Sequence, residues 1–167
     1  AQYLVLAQHL DLKPGDVDLA TMPIFPLANL AAGVTTIIPD VDLRYPGQVS
    51  GRRIYEIMDE YRASRIVASP ALIERVMHAS WFAGKGISSL RMVFTGGAPV
   101  YPRLFHGLFR LAPNARIVAV YGSTEAEPIA HITSTDTSED DIDLTRNGRG
   151  LLAGLPIPQI RLRIIKD

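Results

Sequence analysis

Ile117-Val118-Ala119-Val120-Tyr121-Gly122-Ser123-Thr124-Glu125 is the stretch on which the reading of this chain turns. A short β-branched run that breaks at a glycine reads as a buried strand leaving a sheet. Open α/β sheets bind ligands where the carboxyl ends of such strands empty into a crevice. The residues at this strand end suit a nucleotide and its metal. Tyr121 offers a π-face to a base and Gly122 admits a close backbone approach. Ser123 and Thr124 offer hydroxyls, and Glu125 can hold a hard cation. The plainer alternative is a strand turning into a loop, with Ser123 or Thr124 capping whatever follows.

Upstream the same grammar recurs. Leu90-Arg91-Met92-Val93-Phe94 is a second apolar run, and it ends in Thr95-Gly96-Gly97-Ala98-Pro99-Val100. Two glycines and an alanine remove side chains where a flat ligand would lie against backbone. Pro99 stiffens the exit, and the run to Leu111 reads as a helix. Taken alone, Gly96-Gly97-Ala98-Pro99 is equally a tight strand-to-helix turn. One helix and one strand then separate it from Tyr121. Two consecutive strands would therefore deliver a base-sized slot from one side and a stacking ring from the other.

Working outward, helices and strands alternate. Ala1 to Leu12 is helical in character and stops at Pro14-Gly15, and Val17 to Thr21 is a short strand. Pro26 to Ala32 reads as a compact helix, and Val34 to Ile38 as a buried strand ending at Pro39. Asp40 to Gly51 is loop. Arg52 to Arg62 carries Ile54, Ile57, Met58 and Tyr61 at helical spacing. Ile66-Val67-Ala68 is a strand; Ser69 is the expected N-cap of the next helix, with Pro70 at its favoured first position. Strand 91–95, helix 102–111 and strand 116–120 follow. The alternation predicts an α/β fold, a largely parallel sheet flanked by helices on both faces. Ile129 to Thr133 alternates and adds a further strand. The acidic stretch Ser134 to Asp143 lacks the glycine and alternate ligands of a calcium loop and is expected as solvated surface.

Composition bounds the function classes. The chain has 167 residues, 47% hydrophobic and 20% charged, enough for one domain with a real core. Seventeen basic residues balance seventeen acidic ones, so no net field favours nucleic acid or an anionic membrane. The absence of cysteine removes disulfides, thiol chemistry and a Cys-based zinc site. His9, His78, His106 and His131 are scattered without metal-ligand spacing. No apolar run reaches the ~20 residues of a membrane helix, and no basic segment leads into an apolar one at the start. The cytoplasm is the expected location.

With these motifs in hand, the chain resembles the AMP-forming acyl-adenylating enzymes, which include acyl-CoA synthetases, luciferases and peptide-synthetase adenylation domains. Their adenine slot is similar to Gly96-Gly97-Ala98-Pro99, and their Tyr-Gly-x-Thr-Glu is similar to Tyr121 to Glu125. A third segment, Gly148 to Pro158 with the strand-like Ile160 to Ile165 behind it, resembles the Gly-x-x-Gly-x-Pro-x-Pro that closes the large domain's sheet. The resemblance spans essentially the whole chain, residues 1–167, as one α/β adenylate-binding subdomain.

That resemblance implies ATP and AMP as nucleotide ligands, Mg²⁺ as the metal, and a carboxylic acid as substrate, with CoA as a co-substrate the family admits. Tyr121 would stack on adenine, and Gly97 and Ala98 would form its edge, bounded by Gly96 and Pro99. Gly122 and Ser123 would belong to the same binding segment. Thr124 would bond the α-phosphate and Glu125 would hold Mg²⁺, the two residues of catalytic role. The acid would run near Gly96, Gly122 and Met22 to Leu30, whose apolar character favours a fatty or other hydrophobic acid. Complete members are longer: their phosphate loop lies upstream of residue 1, and a catalytic lysine domain lies downstream. Lys166 is in the wrong context to be that lysine. The chain is thus expected to be an internal piece, inactive in isolation and prone to self-association through uncovered sheet edges.

Two departures bear on subclass. Many CoA-forming members carry a His after the aromatic residue of the segment corresponding to Pro23-Ile24-Phe25, and Pro26 stands there in this chain. That suits the β-lactone synthetases of olefin biosynthesis, which Ile37-Ile38-Pro39-Asp40 and Ser69-Pro70-Ala71-Leu72 also resemble. Gln159 replaces a usual Gly and is expected to alter a turn rather than chemistry. The remaining alternatives are a non-catalytic nucleotide-binding or interaction module, and an unrelated doubly wound nucleotide-binding domain.

Overall fold

The structure is a computed structural model that describes residues 2–123 and 125–165. Its strands are β1 (Val17–Ala20), β2 (Thr35–Ile37), β3 (Arg65–Ala68), β4 (Met92–Thr95), β5 (Arg116–Ser123), β6 (Ala126–Thr133) and β7 (Leu155–Pro156). The helices are α1 (Gln2–Leu10), α2 (Ile24–Ala31), α3 (Gly51–Glu60), α4 (Pro70–Ala83), α5 (Pro102–Leu111) and α6 (Glu139–Arg146). One sheet runs in the order β2-β1-β3-β4-β5-β6-β7. Its neighbours are parallel as far as β5, and β6 and β7 are antiparallel additions.

Period-two alternation sorts the strand side chains onto two apolar layers. On one face Leu19, Ile66, Val93, Ile117, Ala119 and Ile132 pack with α3, α4 and α5. On the other, Ala20, Val67, Phe94, Val118 and Val120 pack with α1 and α2. Phe25 of α2 meets Phe94 edge-to-face at 5.8 Å, a geometry that favours the ring quadrupoles. Because helices cover both faces, β3 and β4 bury every residue they contain. The predicted α/β architecture is therefore the observed one.

Local chemistry accounts for the helix ends. The Ser69 hydroxyl accepts from the Leu72 N–H, Pro70 occupies the first helical position, and Gly84 closes α4 in the left-handed region at φ +69°. Ser50 caps α3 in the same way by accepting from Arg53 N. The buried stripe of α3 is Ile54, Tyr55 and Met58; the expected Tyr61 lies past the helix end, exposed.

Four expectations are corrected. The strand expected at Val34 to Ile38 is short, Thr35–Ile37, and exposed to half-buried, because β2 is the sheet's edge and has only β1 beside it. The acidic stretch is not all loop: Ser138 and Asp141 form a reciprocal capping box that starts α6, with Glu139, Asp140 and Asp141 in its positive first turn. Ile160 to Ile165 is not a strand, since Ile160 N–H bonds back to Ile157 in a turn and no ladder follows. Finally, β5 does not leave the sheet at Tyr121. It continues to Ser123, pairs with Ala126 across a hairpin, and shifts register between Tyr121 and Ser123.

A buried ionic cluster ties α1, β1, α2 and β3 together. Asp18 and Arg65 have no solvent exposure, and Asn29 Nδ2 donates to Asp18 Oδ2 at 2.9 Å. Burial holds the Asp18 carboxyl above the ordinary range, opposed by the Asn29 hydrogen bond and by Arg65. Asp16 accepts from Arg91 and lies 3.7 Å from Arg65 Nη1.

Candidate functional site

Thr95, the last residue of β4, lies beside Ala119 of β5 in parallel register, and β5 runs on past it to Ser123. The Gly96–Val100 turn and the Val120–Ser123 segment consequently stand side by side. A Cβ on Gly96 would sit 2.7 Å from the Val120 carbonyl oxygen, too close for any side chain, so glycine lets the two strand exits touch. Gly97 continues at φ +74°, where L side chains are strained.

A cavity of about 440 Å³ opens at this junction. Gly97, Ala98 and Pro99 form one wall, and Tyr121, a residue 55% exposed, lines it as well. Thr145 and Asp141 of α6 also line it. A largely apolar cavity whose lining includes the polar Thr137, Asp141 and Thr145 fits a nucleobase. The structure thus brings Gly97, Ala98, Pro99, Tyr121 and Gly122 to one cavity and places Gly96 behind it, at the strand contact.

Gly122 has a second task. A Cβ there would meet the Ala126 carbonyl oxygen at 2.9 Å and the Glu127 carboxyl at 3.1 Å, so the β5–β6 hairpin itself requires glycine. Ser123 and Glu125 are exposed at the hairpin, where the Ser123 hydroxyl holds the Glu125 carboxyl below its ordinary range. Thr124 lies outside the described residues. Among the described residues no group of three or more His, Asp or Glu side chains gathers for a metal. A cation at Glu125 would therefore need oxygens from its ligand.

The sequence did not flag α6 as part of the site. The Ser138-x-x-Asp141 pattern was the available signal, since a capping box announces a helix start. Asp141 is held below its ordinary range by the Ser138 hydroxyl and backbone. Met22, expected near the acid, has its Cε 3.5 Å from where a Gly97 Cβ would stand. Phe25 and Ala28 are buried in the core, and Leu27 and Leu30 are exposed. Glu127 was not anticipated. It is half-buried, and burial pushes its carboxyl up to about 7.

With that geometry established, comparison with known proteins places the chain. Residues 4–167 match the family model described as AMP-binding enzyme, and the chain belongs to that family. It is 33% identical over 165 residues to the olefin beta-lactone synthetase of Xanthomonas campestris pv. campestris, covering 98% of this chain and 29% of that protein. It is 27% identical over 167 residues to the indoleacetate–CoA ligase of Aromatoleum aromaticum, covering 94% of this chain and again 29% of the relative. The fold is shared with VinN, solved with L-aspartate, at a TM-score of 0.71 and 18% identity over 93% of this chain and 37% of that one. The chain thus spans under a third of the length of these two sequence relatives.

Proposed function

We propose that the chain is the nucleotide-binding middle of an AMP-forming ligase that activates a hydrophobic carboxylic acid with ATP. The observation that carries this is the cavity between the Gly97-Ala98-Pro99 turn and Tyr121, formed where β4 ends beside the continuing parallel strand β5. In such a reaction an acid oxygen attacks the α-phosphorus, the bond to the bridging oxygen breaks, and pyrophosphate leaves. The protein's part is positioning and charge neutralisation. Tyr121 stacks on adenine, Gly97, Ala98 and Pro99 bound its edge with Gly96 behind them, and Thr124 bonds the α-phosphate. Glu125 shares Mg²⁺ with phosphate oxygens, in keeping with the lack of any preassembled cluster of acids among the described residues. The acid lies toward Gly122 and Met22.

Two readings of the final step differ in acceptor: CoA, or the substrate's own β-hydroxyl. Pro26, in the first turn of α2, and the 33% identity to a β-lactone synthetase both favour the hydroxyl. There the β-oxygen bonds the acyl carbon, the bond from that carbon to AMP breaks, and the hydroxyl proton is lost. The isolated chain is inactive in this proposal and self-associates. Support for association comes from the uncovered β7 edge and the exposed Leu162, Ile164 and Ile165 beyond it. Among the described residues no helix is long and apolar enough to cross a membrane.

The test is a calorimetric titration of the chain with a non-hydrolysable acyl-sulfamoyl adenosine. Saturable binding, weakened by Tyr121→Ala on the order of 1–3 kcal/mol, is expected. A folded chain that binds nothing would overturn the proposal. Light scattering across concentration tests association, and a monomer throughout would refute it.

A further inference from the structure

We propose that the outer face of α4 and α5 is a docking surface for a bilayer carrying anionic lipids, with Trp81 and Phe82 entering the headgroup layer and Arg103 and Arg110 meeting its charge. It is independent of the adenylate reading, since all four residues are exposed and none lines the nucleotide cavity. The two helices are consecutive crossovers packed on one face of the sheet. Gly107 sets how closely they approach: a Cβ there would collide with Met77 Cε and stand 3.5 Å from Trp81 Cζ2. The Trp81 ring is thus laid against α5. His78 lies 5.1 Å from it on its own helix, and the Arg110 guanidinium 5.8 Å from its centroid. Trp81 remains 43% exposed, and Phe82, one residue on, is 94% exposed. The large exposed apolar side chains of α4 and α5, Trp81, Phe82 and Phe109, are all aromatic, whereas those of α2, Leu27 and Leu30, are aliphatic.

The balanced total charge conceals a local excess. From Arg75 to Thr124 the sequence holds no Asp or Glu, while Arg75, Lys85, Arg91, Arg103, Arg110 and Arg116 fall within it. Glu74, the acid of α4, lies 3.5 Å from Arg103 in an exposed pair that a phosphate can replace at little cost. Arg110 has no carboxylate partner among the described residues. Aromatic rings beside arginines suit both a membrane interface and a protein hot spot. Phe82 decides between them. It lies outside the groove that Glu74, Met77, His78 and Trp81 line between the helices, and its ring stands free of the protein. A free-standing ring fits a fluid apolar phase rather than a shaped partner, and an anionic headgroup layer supplies the charge the arginines lack.

Trp81 is the only tryptophan of the chain, so its emission reports this face and no other. The chain is mixed with vesicles of phosphatidylcholine containing phosphatidylglycerol, and with vesicles of phosphatidylcholine alone. Binding is read by co-sedimentation and by Trp81 emission. Sedimentation with the anionic vesicles, a blue shift and quenching by brominated acyl chains are expected, all weakened by salt. Phe82→Ser, and Arg103→Gln combined with Arg110→Gln, should each weaken binding on the order of tenfold. The three positions are exposed, so both variants should keep the circular dichroism spectrum of wild type. Wild-type affinity in both variants, equal binding to the neutral vesicles, or no binding to either kind overturns the proposal. Sedimentation with unchanged Trp81 emission also overturns it, by placing the contact elsewhere, as at the β7 edge. A blue shift that follows protein concentration without vesicles would assign the face to a second copy instead. A response to soluble polyglutamate with none to vesicles would assign it to an acidic protein. Each of these results leaves the nucleotide cavity untouched.

Discussion

The wholly buried guanidinium of Arg65 donates from Nη2 to the Leu10 carbonyl oxygen at 2.6 Å, and from Nη1 to the Asp11 carbonyl at 3.3 Å. A cation from β3 therefore caps the negative end of α1, and the same side chain faces Asp16 and Asp18. Such a cluster makes the protein intolerant of losing one member, because the remaining charges stay buried.

Arg65→Met is expected to destabilise the chain by about 3–5 kcal/mol. Urea unfolding followed by circular dichroism measures it. A loss under about 1 kcal/mol would mean that the cluster rearranges or hydrates.

Gly96→Ala forces a methyl to within 2.7 Å of the Val120 carbonyl oxygen, which is backbone and cannot swing aside. Separating the exits of β4 and β5 should cost roughly 1–3 kcal/mol and weaken binding of an adenylate mimic. Thermal unfolding and calorimetry on the same variant check both effects, and unchanged values in both would refute the contact.

Glu127 and His131 impose opposite pH dependences. The folded Glu127 carboxyl titrates near 7 against an ordinary 4.5. Its folded form therefore holds a proton that the unfolded chain has lost, and stability declines as pH rises from about 4.5 to about 7. Burial, with His9 and Arg116 nearby, lowers His131 from 6.5, so its contribution is lost as pH falls below that value. Glu127→Gln should be more stable than wild type above pH 7, by roughly 1 kcal/mol once solvent screening of the half-exposed carboxyl is allowed for, and equal to it near pH 4. Denaturation midpoints for both proteins across that range decide it; parallel curves would place the Glu127 carboxyl in ordinary solvation.

Ser138→Ala removes the hydroxyl that accepts from Asp141 N–H and donates to Asp141 Oδ2. About 1 kcal/mol of stability should go with it. Because α6 lines the cavity through Asp141 and Thr145, affinity for the adenylate mimic should fall too. Amide exchange across residues 139–146 reports the fraying directly, and protection equal to wild type would show that the cap is dispensable.

The legible part of the fold rested on short-range signals. Ser69-Pro70 marked a helix start because a hydroxyl cap and a fixed φ act within one turn. The apolar runs Ile66-Val67-Ala68 and Met92-Val93-Phe94 read as strands because a strand buried on both faces carries apolar residues in succession. Val34 to Ile38 carried the same signal and became an edge, since burial depends on which strand lies alongside. Of the site, Gly97, Ala98, Pro99 and Tyr121 were visible as motifs. Asp141 and Thr145 were not, because α6 reaches the cavity only through the way the connection between the antiparallel strands β6 and β7 packs.

By itself, then, the amino-acid sequence determined the alternation of helix and strand, the nucleotide motifs at two strand ends, and the family they resemble. These are encoded in hydrophobic period and backbone stereochemistry, which a few neighbouring residues settle. The tertiary structure alone decided that β5 runs on through Tyr121 into a hairpin and that Arg65 caps α1. It also decided that His9 and His131, far apart in the chain, meet ring to ring at 5.2 Å, and that Glu127 reaches the space beside Gly122. Each of these joins groups whose proximity follows from strand order and register, and those are set by packing the whole sheet at once.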